Sequence, residues 1–353
     1  MDHVYLDWAA TAPIDPAAAA VMADAARIWA NPSSVHAAGR AASAALDAAR
    51  RAVARGFDVD PARVVFTGGG TEALGLALAQ RGGPRFVSAV EHDAVCAQAD
   101  GATIIPVNAG GVVDLSVMDA LLTGVEQPRV AVMHANNETG VVQPVAEVAR
   151  IVAAHGGTLL VDAVQSAGKL PLPDADFVAV SAHKLGGPPG VGALIVRDAV
   201  TAQVRGGGQE RGQRAGTENL PGIAAFAAAL AARTADAGWH DRVRILRDRL
   251  EAALPGAVVH GAGAPRLGTI ACLGLSGVAA MTQLMTLDLA GFAVSAGAAC
   301  SSGKVRTSHV LAAMGVAEPG EAIRVSLGWA TTAAEVDAFA AAWRAMAARL
   351  GRA

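Results

Sequence analysis

The feature that most restricts the fold of this chain is a regular exchange between two hydrophobic periods from residue 15 to residue 197. Short apolar runs at 63–67, 85–90, 103–107, 130–134, 158–162, 177–181 and 193–196 read as strands. Helical patterns at 71–80, 115–122 and 145–155 fill gaps between them. Two more helices come first. Asp15-Pro16 supplies an N-cap and first helical position for one reaching about residue 29, and another runs from 35 to 55 and stops at Gly56. Strands spaced by helices need a mostly parallel sheet covered by those helices, so the fold class is α/β with seven candidate strands. In such sheets ligands bind beyond the carboxyl ends of the strands. The notable polar groups fall there: Thr67-Gly68-Gly69-Gly70-Thr71, Glu91-His92, Asn136-Asn137, Asp162 and Ser181-Ala182-His183-Lys184.

Beyond residue 205 the pattern changes. Residues 205–219 are glycine-rich and polar, which reads as a structured loop, and helices are expected at 223–235 and 241–254. Pro255-Gly256 marks a hinge. Strands at 269–273 and 323–327 and helices at 281–289, 308–314 and 334–350 then form a smaller α+β unit, joined by the N-terminal segment. The expected division is a large domain over 12–254 and a small one from 1–11 with 255–353.

Composition excludes several classes of protein. Hydrophobic residues make up 53% of the chain but aromatics only 4%, so the apolar excess is largely alanine. No run of about 18 residues lacks a glycine, proline or charge, so no membrane span is expected. The N-terminus carries no basic flank or apolar signal core. A net charge of −3 argues against nucleic acid as a partner. Three scattered cysteines, Cys96, Cys272 and Cys300, give neither a metal spacing nor a disulfide framework, which fits a reducing cytoplasm. Lysine is equally sparse: Lys169, Lys184 and Lys304 among 28 basic residues. Chemistry that needs an amine therefore has three candidates.

Three constellations carry chemistry. Thr67-Gly68-Gly69-Gly70-Thr71-Glu72 joins a strand to a helix start, where amides, the helix dipole and a hydroxyl suit a phosphate; an ordinary glycine turn reads the same way. Asp162 ends a buried strand and needs a partner, such as a cationic ring nitrogen, or else caps the next turn. Lys184 ends a strand and enters a glycine-rich turn, where partial burial would favour Schiff-base chemistry over a solvated surface amine. Lys169 and Lys304 lie in loops without comparable neighbours. A phosphate cradle, a strand-end acid and a strand-end lysine are together the demands of pyridoxal phosphate.

At this point the chain resembles the cysteine desulfurases of the NifS/IscS type, in the class V aminotransferase group of fold-type I enzymes. The resemblance rests on Asn31-Pro32-Ser33-Ser34-Val35-His36, His134-Ala135-Asn136-Asn137-Glu138-Thr139-Gly140, Val161-Asp162-Ala163-Val164-Gln165-Ser166-Ala167-Gly168-Lys169, the stretches 181–192 and 206–219, Ser295-Ala296-Gly297-Ala298-Ala299-Cys300-Ser301-Ser302 and 323–332. It implies pyridoxal phosphate held covalently by Lys184, with Asp162 on the pyridinium nitrogen, Gln165 on the phenolic oxygen and His92 stacked on the ring. Gly70, Thr71, Ser181 and His183 would bind the phosphate. Thr217 would reach the phosphate of a neighbouring subunit, which implies a homodimer with shared sites. Asn137 and Arg324 would grip the substrate carboxylate. His36, His134 and Asn136 also read as packed polar residues.

Cys300 is the discriminating residue, because it sits among small residues that leave a thiol exposed and mobile. Cys272 reads as a core residue and Cys96 as a buried thiol in a helix after His92. The resemblance implies that L-cysteine loses its sulfur to Cys300 as a persulfide and leaves as L-alanine. The sulfur then passes to an acceptor protein such as an IscU-like scaffold. No resident metal is implied, although Cys300 would serve as a transient iron–sulfur ligand. Two other readings stay open: a selenocysteine lyase or aminotransferase of the same group, and a sulfur-transfer component without catalysis. The chain departs from the family pattern at Trp329, where an arginine is frequent.

Overall fold

The computed structural model describes residues 3–297 and 307–351. Cys300 and Lys304 lie outside the described residues. After a short first strand, β1 (Val4–Tyr5), come two helices, α1 (Pro16–Ala25) and α2 (Ala37–Phe57). The strands β2 (Val64–Thr67), β3 (Arg85–Ser88), β4 (Thr103–Ile105), β5 (Arg129–Ala131), β6 (Thr158–Asp162), β7 (Phe177–Ser181) and β8 (Gly192–Val196) then form one seven-stranded sheet. Its order is β2-β8-β7-β6-β5-β3-β4, and only β8 runs against its neighbours. The sheet is mostly parallel, as the alternation of periods requires.

The strands are apolar on both faces, and their period of two sorts them into two cores. Phe66, Val130, Val161, Val178 and Ile195 face the side covered by α1, α2 and Leu220–Ala235. Val65, Ala131, Leu160, Ala179 and Leu194 face the side covered by α3 (Gly70–Leu78) and α4 (Asp93–Cys96). Helix α2 does not end at Gly56. It continues to Phe57 and closes on Asp58, whose φ of 54° is left-handed. Gly56 has a packing role instead, since a Cβ there would lie 2.6 Å from a Leu230 methyl.

A second, antiparallel sheet is built from β9 (Val258–Val259), β10 (Ile270–Gly274), β12 (Ser295–Ala296) and β13 (Ala322–Ser326), in the order β12-β13-β10-β9. Strand β11 (Phe292–Ala293) pairs separately with β1. Ala271, Leu273, Ile323 and Val325 point into a core with Phe339 and Trp343 of Ala333–Arg349. The alternation therefore turns Arg324 and its register partner Cys272 to the opposite face. The helix Trp239–Ala252 also belongs to this second core, through Trp239, Val243 and Leu250. It lies on the near side of the expected hinge at Pro255-Gly256, so the change of core comes earlier in the chain than the hinge residues suggested.

Residues 205–219 are structured by a buried ion pair. Both Arg50 terminal nitrogens donate to Glu210 carboxylate oxygens at 2.7 Å, and the Phe66 amide donates to Glu210 at 2.8 Å. The φ values of Glu210 (47°) and Arg211 (58°) are those of non-glycine residues held in the left-handed region, which the clamp must offset. Removing one partner leaves a buried charge uncompensated. Glu210→Ala is expected to cost about 3–5 kcal/mol in urea unfolding, whereas breaking an exposed pair such as Arg249–Asp337 should leave the unfolding midpoint nearly unchanged.

Candidate active site

The carboxyl ends of β6 and β7, the start of α3 and residue 324 of β13 meet at one cavity of about 280 Å³. Its walls include Gly70, Thr71, His92, Asn137, Asp162, Gln165, Ser181, His183, Lys184 and Arg324. Residues far apart in sequence thus line one cavity. Thr217 is exposed and is not among the lining residues.

The glycine turn forms the rim. Gly69 caps α3 with φ 149°, a conformation that favours glycine. A Cβ on Gly70 would lie 2.8 Å from a Val164 methyl and 3.5 Å from the Ser181 Cβ, so this wall closes only on a glycine. Glu72 holds the turn from behind. It accepts the Gly68 amide at 2.6 Å and the Arg214 Nε at 2.8 Å, which ties the turn to the 205–219 loop.

Asp162 is the last residue of β6 and is buried. Its Oδ1 accepts the Val164 amide at 2.9 Å. Burial raises its pKa, and the Val164 amide, His92 and Lys184 pull it back. A cation against this carboxyl would restore the ionised form. His92 caps α4, and its Nδ1 accepts the Ala94 amide at 3.0 Å, which leaves the neutral ring's proton on Nε2. His183 Nδ1 pairs with the Thr11 hydroxyl at 3.1 Å. Burial and then Lys184 push its pKa down to about 4, so it is neutral at physiological pH.

Lys184 lies in the 3₁₀ turn Ala182–Lys184 that follows β7. Its Nζ donates to the carbonyls of Ala9 at 2.6 Å and Ala10 at 2.8 Å. The Gln165 side-chain amide donates to the same Ala9 carbonyl at 2.8 Å. Arg324 is buried and donates to the Asn137 carbonyl and to Asp7, each at 2.9 Å, while its Nε has no partner among the described residues. Asn136 proves to be a turn organiser, since its side-chain oxygen accepts both the Glu138 and Thr139 amides at 2.9 Å. His36 caps α2. Trp329, in place of the frequent arginine, stacks on Arg233 at 3.7 Å, and Arg233 is ion-paired to Asp15 at 2.6 Å.

Three residues depart from the sequence reading. Cys96 does lie in α4 but is exposed, with its thiol donating to the Glu91 carbonyl at 3.6 Å and its pKa pushed up to about 11 by burial of the sulfur and nearby acids. Four residues cannot build a helix face broad enough to cover it. Lys169 is not in a bland loop: it lines a void shared with Lys184 and Gln165. Its spacing of four from Gln165 was the available signal. Glu91 was read only as part of a motif. It is a buried acid whose Oε1 accepts the Ser88 hydroxyl at 2.6 Å and the Met133 amide at 2.7 Å, so it laces the ends of β3 and β5 together. Cys272, by contrast, is buried in the core as expected.

An open parallel sheet with a lysine, an acid and a glycine cradle around one cavity defines an α/β enzyme built to hold an anionic cofactor with a cationic ring. The family model for aminotransferase class V matches residues 4–339, and the chain belongs to that family. It is 44% identical to a cysteine desulfurase of Cereibacter sphaeroides over 96% of this chain and 94% of that one. It is 38% identical to an IscS-like cysteine desulfurase of Mycobacterium tuberculosis over 95% and 93% of the two chains. The solved NifS-like protein from Rickettsia africae superposes with a TM-score of 0.90 at 31% identity, over 98% of this chain and 99% of the other.

Glu91 makes the stability of the site depend on pH. Burial raises its pKa to about 7, above the ordinary carboxyl value. The folded chain then keeps a proton that the unfolded chain loses from about pH 4.5 upward. This contribution is complete below that pH and is lost as pH rises to about 7. Glu91→Gln keeps both acceptor contacts and cannot ionise. Urea unfolding should show the variant gaining up to about 3 kcal/mol on wild type between pH 5 and pH 8.

Proposed function

We propose that this chain is a cysteine desulfurase that uses pyridoxal phosphate to remove sulfur from L-cysteine, leaving a persulfide on Cys300 and releasing L-alanine. The observation that carries the reading is the convergence of Lys184, Asp162 and His92 on one cavity in a chain of this family. The residues fit the cofactor. Asp162 offers a buried carboxyl in need of a cation, Gly70 leaves room at a helix N-terminus for a phosphate, and Lys184 supplies the amine.

Lys184 would hold the cofactor covalently through Nζ, Asp162 its ring nitrogen, Gln165 its phenolic oxygen, and Gly70, Thr71, Ser181 and His183 its phosphate. Bound there, pyridoxal phosphate supplies an electron sink for the bonds at the substrate α-carbon. Arg324, aided by Asn137, anchors the substrate carboxylate in a fork fixed by Asp7. His92 would stack on the cofactor ring. The Lys184 amine takes the α-proton, and the Cys300 thiolate attacks the substrate sulfur. The carbon–sulfur bond breaks, the sulfur stays on Cys300, and the carbon skeleton gains protons to leave as L-alanine.

The working unit is a homodimer in which Thr217 of each copy reaches the phosphate site of the other. A large cofactor-binding domain and a smaller domain carrying Cys300 divide the chain, with the change of core near residue 238. The sulfur acceptor is a cytoplasmic protein, such as an iron–sulfur scaffold. Among the described residues no helix is long and apolar enough to cross a membrane.

An assay with L-cysteine and a reductant should yield sulfide and alanine in equal amounts. Lys184→Ala should lose the yellow absorbance and at least about 1,000-fold in rate. Cys300→Ala should release no sulfide, and full alanine production by that variant would sink the desulfurase reading. Arg324→Lys keeps the charge but loses the fork. It should raise KM for cysteine about tenfold or more, with a smaller change in kcat.

A further inference from the structure

Two short stems flank Cys300 in sequence: β12 with Gly297 before it, and Ser308 with the helix His309–Ala313 after it. Both meet the same side chain. The Glu138 carboxyl is buried, and its Oε2 accepts the Ser308 hydroxyl at 2.5 Å. From the other stem, a Cβ on Gly297 would lie 2.1 Å from that same Oε2 and 2.8 Å from the carboxyl carbon. The carboxyl therefore lies against the Gly297 backbone, an approach that only glycine permits. Ser308 also caps its helix, since its oxygen accepts the Leu311 amide at 3.0 Å. His309 adds a further tie, its Nε2 pairing with the Glu91 carbonyl at 2.9 Å.

Glu138 itself stands on a turn that borders the cavity. The Asn136 side chain accepts its amide, and the neighbouring Asn137 lines the cavity and takes Arg324 on its carbonyl. Strand β12 pairs with β13 so that Ser295 opposes Arg324. The stem before Cys300 thus belongs to the same strand pair as Arg324, and Glu138 joins that pair to the stem after it. Burial raises the Glu138 pKa, and the Ser308 hydroxyl, His309 and Arg324 draw it back, while Asp93 adds to the rise. Cys300 comes three residues after Gly297, so covalent geometry keeps its Cα within about 11 Å of the Gly297 Cα. Attack on a bound sulfur needs the reacting atoms about 3–3.5 Å apart. Where the stems are held therefore limits where the thiol can act.

We propose that Glu138 is a positioning residue for sulfur transfer: one buried carboxyl holds both stems of the segment that carries Cys300 and sets them beside Arg324. The proposal takes the roles of Cys300 and Arg324 from the reading above. Glu138 touches neither the substrate nor the sulfur. It acts through Ser308 and the Gly297 backbone.

The test compares wild type with Glu138→Ala, Glu138→Gln and Gly297→Ala in the full chain loaded with cofactor. Gly297→Ala pushes the carboxyl away without altering it, and Glu138→Gln keeps an acceptor for Ser308. Two readouts are taken. Trypsin cuts after Lys304 and Arg306, between the stems, and its rate follows local opening. Glu138→Ala and Gly297→Ala should be cut there about tenfold faster, with Glu138→Gln close to wild type. In the second readout, kcat for alanine formation from cysteine should fall at least about tenfold in the same two variants. Their KM, and their exchange of the L-alanine α-hydrogen in D₂O, should stay within about twofold, because these report Arg324 and Lys184 rather than Cys300. Unchanged cleavage in Glu138→Ala and Gly297→Ala overturns the proposal. So does a Glu138→Gln that behaves like Glu138→Ala, or an α-hydrogen exchange that falls along with kcat. Should Glu138→Ala not fold, Ser308→Ala removes the same bond from its other end and is judged by the same readouts, with Ser308→Thr expected to restore both. A wild type that forms no alanine from cysteine sinks the desulfurase reading, whereas the cleavage pattern above would still support Glu138 as the anchor of the two stems.

Discussion

The site depends on a few atoms of backbone at Ala9 and Ala10. Their carbonyls hold the Lys184 amine, and Ala9 also takes the Gln165 side chain. That stretch is fixed from the other side by the Ser326 hydroxyl, which accepts the Ala9 amide at 2.9 Å, and by Asp7 on Arg324. Three segments from both sheets thus meet on one short turn. These carbonyls sit in a turn whose Ala9 amide is itself anchored to Ser326, which holds them toward the amine.

The parallel sheet was legible because its signal is redundant. Seven apolar runs, four of them ending in a polar residue, leave few other arrangements. Asp162, Ser181 and Lys184 could be placed from this pattern, and the resemblance supplied their roles. Arg324 is a different case: its direction follows from a single alternation, since Ile323 and Val325 are both committed to the second core.

What was not legible depended on contacts between segments. Gly56 looks like a helix stop, and only the approach of Leu230 shows that it is a packing position. Trp239–Ala252 carries its apolar face toward a core assembled almost entirely from later residues. The environment of Lys169 is made by Lys184, fifteen residues on, and by tryptophans from three distant segments. Glu91 could be seen as polar and strand-terminal, but its carboxyl acquires meaning only through Met133, which β5 brings alongside.

The pairing of Asp7 with Arg324 spans 317 positions of sequence. During synthesis the acceptors at Ala9 and Ala10 emerge early, and the lysine they await emerges much later. The strand that anchors them comes later still. A nascent chain can fold most of the large sheet and still lack a finished pocket. The wall that Arg324 adds to the pocket is therefore present only in chains that have been read through that far.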